Sequence, residues 1–138
     1  VRVLEDRTDG DVRTLRRRLA SARRAPKLIF YAGPESGVLR ATLDGKTLID
    51  EDSKPTDGTP ATLRVNFAAP PPEGLELLLE TRTGAPLSLI IEDLSFGLPE
   101  APGQTFRPRP DDAMPAPSYR TSDTTIVRKS FALAPRKE

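Results

Sequence analysis

The sequence predicts an all-β protein, an antiparallel two-sheet β-sandwich of seven to eight short strands with a long Pro-rich connection before the last strand. Three observations carry that expectation. Fifteen prolines in 138 residues interrupt the chain too often for long helices. Between them, apolar and polar residues alternate with the period of two that buries one face of a strand. Glycine-bearing turn signals, Asp9-Gly10 and Asp44-Gly45 among them, fall where such strands would reverse. The length suits one domain, so residues 1–138 are read as a single unit. Leu, Ile, Val and Phe make up about a quarter of it, enough for a lean core.

Val1 to Asp6 is expected to be a first strand with a fraying end. Val12 to Ala22 admits two readings: Val12, Leu15 and Leu19 have helical spacing, whereas Leu15, Arg17 and Leu19 have strand spacing broken by an arginine. The preceding Asp9-Gly10 turn and the shortness of the apolar stripe favour the strand. Lys27 to Ala32 is compact and rich in strand formers. Val38 to Leu43 is expected to turn Leu39, Ala41 and Leu43 inward, with Arg40 and Thr42 outward, before the Asp44-Gly45 hairpin. Thr62 to Phe67 places Leu63, Val65 and Phe67 on one face, and Leu75, Leu77 and Leu79 oppose Glu76 and Glu80. A further strand runs from Leu87 to Phe96, and Leu78 and Ile90 imply partial cover on the outer faces. In the last strand, Thr124 to Leu133, Lys129 shares a face with Val127, Phe131 and Leu133. A buried lysine there is costly, so an edge position or a bulge near Arg128 and Lys129 is expected. Residues 97–122 hold six of the fifteen prolines and, with Leu98, Phe106, Met114 and Tyr119, are expected to pack along the sandwich as an extended crossing.

Composition narrows the chemistry. With no Cys and no His, the chain lacks the usual ligands for zinc, copper or haem, and the components of a Ser-His-Asp triad or a Cys-His pair. No cofactor is expected in this chain. Twenty-one Lys and Arg against 20 Asp and Glu leave a net charge of +1, too little for a global field that attracts nucleic acid. No run approaches the length of apolar sequence that crosses a bilayer, so a soluble piece is expected. A start at Val1, with neither an initiator Met nor a signal peptide, reads as part of something longer.

The strongest local charge feature lies between Val12 and Lys27. Arg13, Arg16, Arg17, Arg18, Arg23, Arg24 and Lys27 occur there with no acidic residue between them. A solvated strand face is the first reading. Contact with an anionic membrane surface or a partner is the second, and nucleic acid the least favoured, because stacking aromatics are not interleaved. Asp50, Glu51, Asp52 and Asp57 do not follow the spacing of a calcium-binding EF-hand loop and read as a polar turn. Glu76 and Glu80 alternate outward as solvated positions, and Lys129 and Ser130 point to opposite faces, which argues against a Ser-Lys nucleophile. Gly33, Gly37, Gly45 and Gly58 are turn glycines without a phosphate loop.

The stretch Asp93-Leu94-Ser95-Phe96-Gly97-Leu98-Pro99, then Arg107-Pro108, then Ser122 through Phe131, resembles the C-terminal tail of the multi-pass, membrane-anchored zinc aminopeptidases of metallopeptidase family twenty-eight. The opening Asp6-Arg7-Thr8-Asp9-Gly10 and Arg13-Thr14-Leu15 are similar to the start of that tail. The resemblance implies a parent with a zinc peptidase domain and several transmembrane helices, and this chain as an accessory domain on the extracytoplasmic, periplasmic or luminal side. Zinc and the catalytic residues would belong to the parent. The partners would be the peptidase and transmembrane regions of the same chain, with the membrane surface as a further contact. On this reading the domain is non-catalytic and stabilises or orients the peptidase or binds a partner; with residues 97–122 packed outside the sheets, Phe106, Arg107, Arg109 and Tyr119 are its candidate docking surface, the equal alternative being that they seal the sandwich edge. The alternative is an independent carbohydrate-binding sandwich, for which the sequence offers only Tyr31 and Tyr119 and no Trp.

Overall fold

A computed structural model describes residues 1–50, 62–97, 103, 105, 110–113 and 124–133. The described residues form nine strands and one short 3-10 turn, η1 (Pro34–Ser36). The strands are β1 (Arg2–Asp9), β2 (Val12–Leu19), β3 (Lys27–Ala32), β4 (Val38–Leu43), β5 (Lys46–Ile49), β6 (Leu63–Ala68), β7 (Leu75–Arg82), β8 (Leu87–Phe96) and β9 (Thr124–Leu133). They make a five-stranded sheet in the order β1-β2-β7-β4-β5 and a four-stranded sheet in the order β6-β3-β8-β9, with every pairing antiparallel. The all-β two-sheet sandwich is therefore the architecture, with one more strand than the sequence pattern named. The extra strand, β5, is four residues long, too short to show alternation of its own.

The core lies between the sheets because each central strand turns alternate apolar residues inward. In the larger sheet, cross-strand rows run Leu15–Leu79–Ala41 and Arg17–Leu77–Leu43 through β2, β7 and β4. The smaller sheet supplies Leu63–Ala32–Leu89 and Val65–Phe30–Ile91 through β6, β3 and β8. Phe30, Leu15, Leu75 and Leu77 have no exposed surface at all. Burying one such side chain removes enough apolar area from water to contribute about 1.5–3 kcal/mol.

The hairpin at Asp44-Gly45 forms as the sequence predicts, with both residues in the left-handed region (φ 47° and 78°). The Asp44 carboxylate accepts the Glu76 N–H at 2.7 Å, and the Asp44 N–H bonds the Glu76 carbonyl at 2.8 Å, tying the turn to β7.

One expected face is corrected. Val38, not Leu39, enters the core beside Ala41 and Leu43. The register of β4 on β7 slips between Val38 and Arg40, and this one-residue irregularity reverses the parity of everything before it. Lys129 is accommodated by the first of its two expected solutions. β9 is the edge of its sheet and holds an unbroken register with β8 along its whole length, without a bulge. Leu78 and Ile90 are half-buried on the outer faces, in keeping with the expected partial cover.

Candidate functional site

The seven basic residues of the Val12–Lys27 region do not share a surface. β2 is a strand, so its arginines separate by parity. Arg13 and Arg17 turn into the sandwich and are 6% and 4% exposed, while Arg16 and Arg18 turn out.

What makes the inward pair tolerable is Asp6 on the neighbouring strand β1. Its carboxylate accepts Nε and Nη2 of Arg13, each at 3.0 Å, in the two-pronged geometry that suits a guanidinium. Nη2 of Arg17 approaches the same carboxylate at 3.3 Å. Two cations thus meet at one anion in a partly dehydrated place. Nε of Arg17 is buried with no hydrogen-bond partner. Burial pushes the Arg17 guanidinium below its ordinary pKa, Asp6 opposes that shift, and Arg13 adds to it.

The outward pair converges on Glu76 of β7. Arg16 reaches one carboxylate oxygen at 2.5 Å and Arg18 the other at 3.1 Å. The bond from Arg16, reinforced by that from Arg18, holds Glu76 below the usual carboxylate range. Glu80, the other outward carboxylate of β7, pairs with Arg40 at 3.6 Å. Arg16, Glu76 and Glu80, with Glu5 and Arg7 of β1, surround the half-buried Leu78 in a shallow depression of about 280 Å³. Its chemistry is that of an ion-pair lattice, because each of these charges is paired with an opposite one.

Arg23 belongs to a third arrangement, at the connection from β2 to β3. Ser21 Oγ donates to Asp93 Oδ2 at 2.8 Å and accepts the N–H groups of Arg23 (3.2 Å) and Ala25 (3.1 Å). Arg23 bonds the other Asp93 oxygen at 2.9 Å and also donates to Ser95 Oγ. A β8 carboxylate thereby fastens the connection leaving β2, and so joins the two sheets at one end. Arg24 is exposed in a left-handed turn conformation (φ 52°), and Lys27 is half-buried at the start of β3. Of the seven residues, only Arg16 and Arg18 act on the same carboxylate at the outer surface.

On the outer face of the smaller sheet, Arg128 of β9 spans β8. Its Nη2 donates to the Tyr31 hydroxyl at 2.6 Å, its guanidinium lies 5.9 Å from the centre of that ring, and its Nε is 3.7 Å from Glu92. Tyr31 is thus already engaged by a cation on its face and its hydroxyl. Beside this lattice, the β8–β9 ribbon exposes apolar side chains: Phe96 is 76% exposed, Ile126 52% and Val127 46%.

Phe106, Arg107, Arg109 and Tyr119 lie outside the described residues, as do Leu98, Met114, Glu51, Asp52, Asp57 and Gly58. Ser130 and Lys129 do face opposite sides of the sheet, opposite Ile90 and Ile91 respectively. Among the described residues, no group of three or more potential ligands gathers where it could hold a metal ion. Comparison with family models, curated proteins and solved structures returns no match.

Sequence reasoning placed β9 at an edge but missed the inward arginines' anion and the apolar side chains that the β8–β9 ribbon exposes. The first had a faint signal: Asp6 stands at the strand position that faces Leu15 once the Asp9-Gly10 turn closes the β1–β2 hairpin. The second was visible as Phe96, Ile126 and Val127 in strands that an inward lysine already marked as peripheral.

Proposed function

We propose that this chain is the non-catalytic accessory domain of a membrane-anchored zinc aminopeptidase, held on the extracytoplasmic side and acting by contact to stabilise or orient the peptidase. Zinc and the catalytic groups belong to the parent's peptidase domain in this reading. The observation that carries it is the position of the residues bearing the resemblance. Asp93, Ser95, Phe96 and Thr124 to Phe131 fall on one β8–β9 ribbon at the sheet edge. That ribbon is tied down at Asp93, which holds Ser21 and Arg23, and beside that point it exposes apolar side chains at Phe96, Ile126 and Val127. A rigid support with an apolar margin suits a docking element.

A lipid contact through the basic region is the weaker form of the proposal. Arg13 and Arg17 are turned inward, and Arg16, Arg18 and Arg23 each hold a carboxylate. The ribbon is the stronger form.

Expression of the parent protein with and without this domain tests the proposal. Loss of thermal stability or of aminopeptidase turnover on deletion, with metal content retained in the peptidase domain, supports it. A parent reading frame without a His, Asp and Glu zinc-ligand set, or full activity and stability after deletion, overturns it.

A further inference from the structure

An open sheet edge is normally blunted, because unpaired N–H and C=O groups recruit other strands. Three of the four edge strands among the described residues follow that rule. β1 is broken by a register shift between Val3 and Glu5 and carries Glu5, Asp6, Arg7 and Asp9. β5 is four residues long and joins β4 through another shift. β6 has six residues and ends at Ala68, followed by Ala69 in a left-handed conformation (φ 51°) and then Pro70.

β9 differs. It has ten residues in one unbroken register, from Leu87 opposite Leu133 to Phe96 opposite Thr124. Ile126 through Ser130 are all exposed, and Phe96 beside them is the most exposed large apolar side chain among the described residues. The devices present are the cations Arg128 and Lys129. Arg128 is turned to the outer face by Tyr31 and Glu92. Lys129 lies 5.4 Å from the centre of the Phe131 ring and has no ion pair among the described residues.

Those cations decide which strand the edge accepts. Facing residues in an antiparallel pair share a sheet face. The two longest two-fold pairings of β9 with itself therefore set Arg128 against Arg128 or Lys129 against Lys129. Like charges in facing positions disfavour both. A strand with carboxylates at the same two positions meets opposite charge instead, and β-branched neighbours would cover Ile126, Val127 and Phe131.

We propose that β9 is a strand-addition site for an extended segment of another polypeptide, one bearing two adjacent carboxylates flanked by apolar β-formers. Main-chain hydrogen bonds would provide the attachment and Lys129 the greater part of the selection, with Arg128, which already faces Glu92, adding to it. The inference goes beyond the peptidase reading and holds whichever protein the chain serves.

The test titrates the isotope-labelled 138-residue chain, at low salt, with two synthetic ten-residue peptides. Both alternate valine and threonine, and they differ only in a central pair of glutamates or of lysines. The expected result is amide shift changes confined to β9 and its β8 neighbours, with the glutamate peptide binding about tenfold more tightly. Lys129→Glu should erase or reverse that preference, and Ser130→Glu, on the opposite face, should reduce it. Equal affinity for the two peptides overturns the proposal. So do shifts centred elsewhere, an unaltered preference in both variants, or a concentration-dependent dimer through β9 without peptide.

Discussion

Asp6 is the position at which a single atom exchange should be most costly. Asp6→Asn keeps the shape but removes the negative charge from a carboxylate that receives Arg13 at 3.0 Å and Arg17 at 3.3 Å. The arginine side chains are 7% and 5% exposed and Asp6 18%, so little water stands ready to replace it. Breaking a buried ion pair by removing one partner costs about 3–5 kcal/mol, whereas an exposed pair is worth about 0–1 kcal/mol. At roughly 4 °C per kcal/mol for a chain of this length, the melting temperature should fall by ~12–20 °C. Arg17→Met is the opposite perturbation. It removes the more distant of the two cations at Asp6 and its unpartnered Nε, leaves the two-pronged Asp6–Arg13 pair, and keeps an apolar stem in the row between Val3 and Leu77. It should be neutral or raise stability by about 1–2 kcal/mol. Denaturant unfolding of the three proteins measures both effects. A loss below about 1 kcal/mol in Asp6→Asn would place the cluster in the exposed class and refute the reasoning.

Gly74 precedes β7 at φ 85°, and a Cβ there would stand 2.5 Å from the Leu19 carbonyl oxygen. Gly74→Ala should therefore destabilise by well over the ~1 kcal/mol of a simple turn glycine, read by thermal melting. Ser21→Ala removes one donor to Asp93 and the acceptor of two backbone N–H groups. A cost of about 1–3 kcal/mol is expected, with faster amide exchange in residues 21–25. Phe30→Ala empties the centre of the core and should cost about 3–5 kcal/mol in denaturant unfolding. Glu76 has a folded-state pKa below its ordinary value of 4.5, so its contribution is present above that pH and disappears as pH falls through the folded value. The stability gap between the unsubstituted 138-residue chain and Glu76→Gln, followed by acid titration, should shrink over that lower range and stay constant above it.

The strands were legible because their signal is local. Lys27–Ala32, rich in strand formers, and Val38–Leu43 and Thr124–Leu133 have the bounds expected of them, and the turn residues between β4 and β5 need no tertiary information. Where the pattern misled, the cause was a neighbour. The Val38–Arg40 slip depends on how β4 meets β7, a strand more than thirty residues away along the chain.

The basic run shows the same division in its charges. As a run it reads as one surface, yet a strand distributes successive arginines to opposite faces, and each face then finds a different counter-ion. Asp6 lies 11 residues from Arg17, Glu76 lies 58 from Arg18, and Asp93 lies 70 from Arg23. The charge of a segment is thus written in its own residues, but whether that charge is available to a lipid or a partner is decided by topology. By the same argument Lys129, which the alternation marked as misplaced in a core, is the cation that topology leaves at an edge. A residue that conflicts with its local pattern has two physical outcomes. Arg17 meets a carboxylate inside the sandwich, and Lys129 stands at the boundary where a carboxylate from outside can meet it.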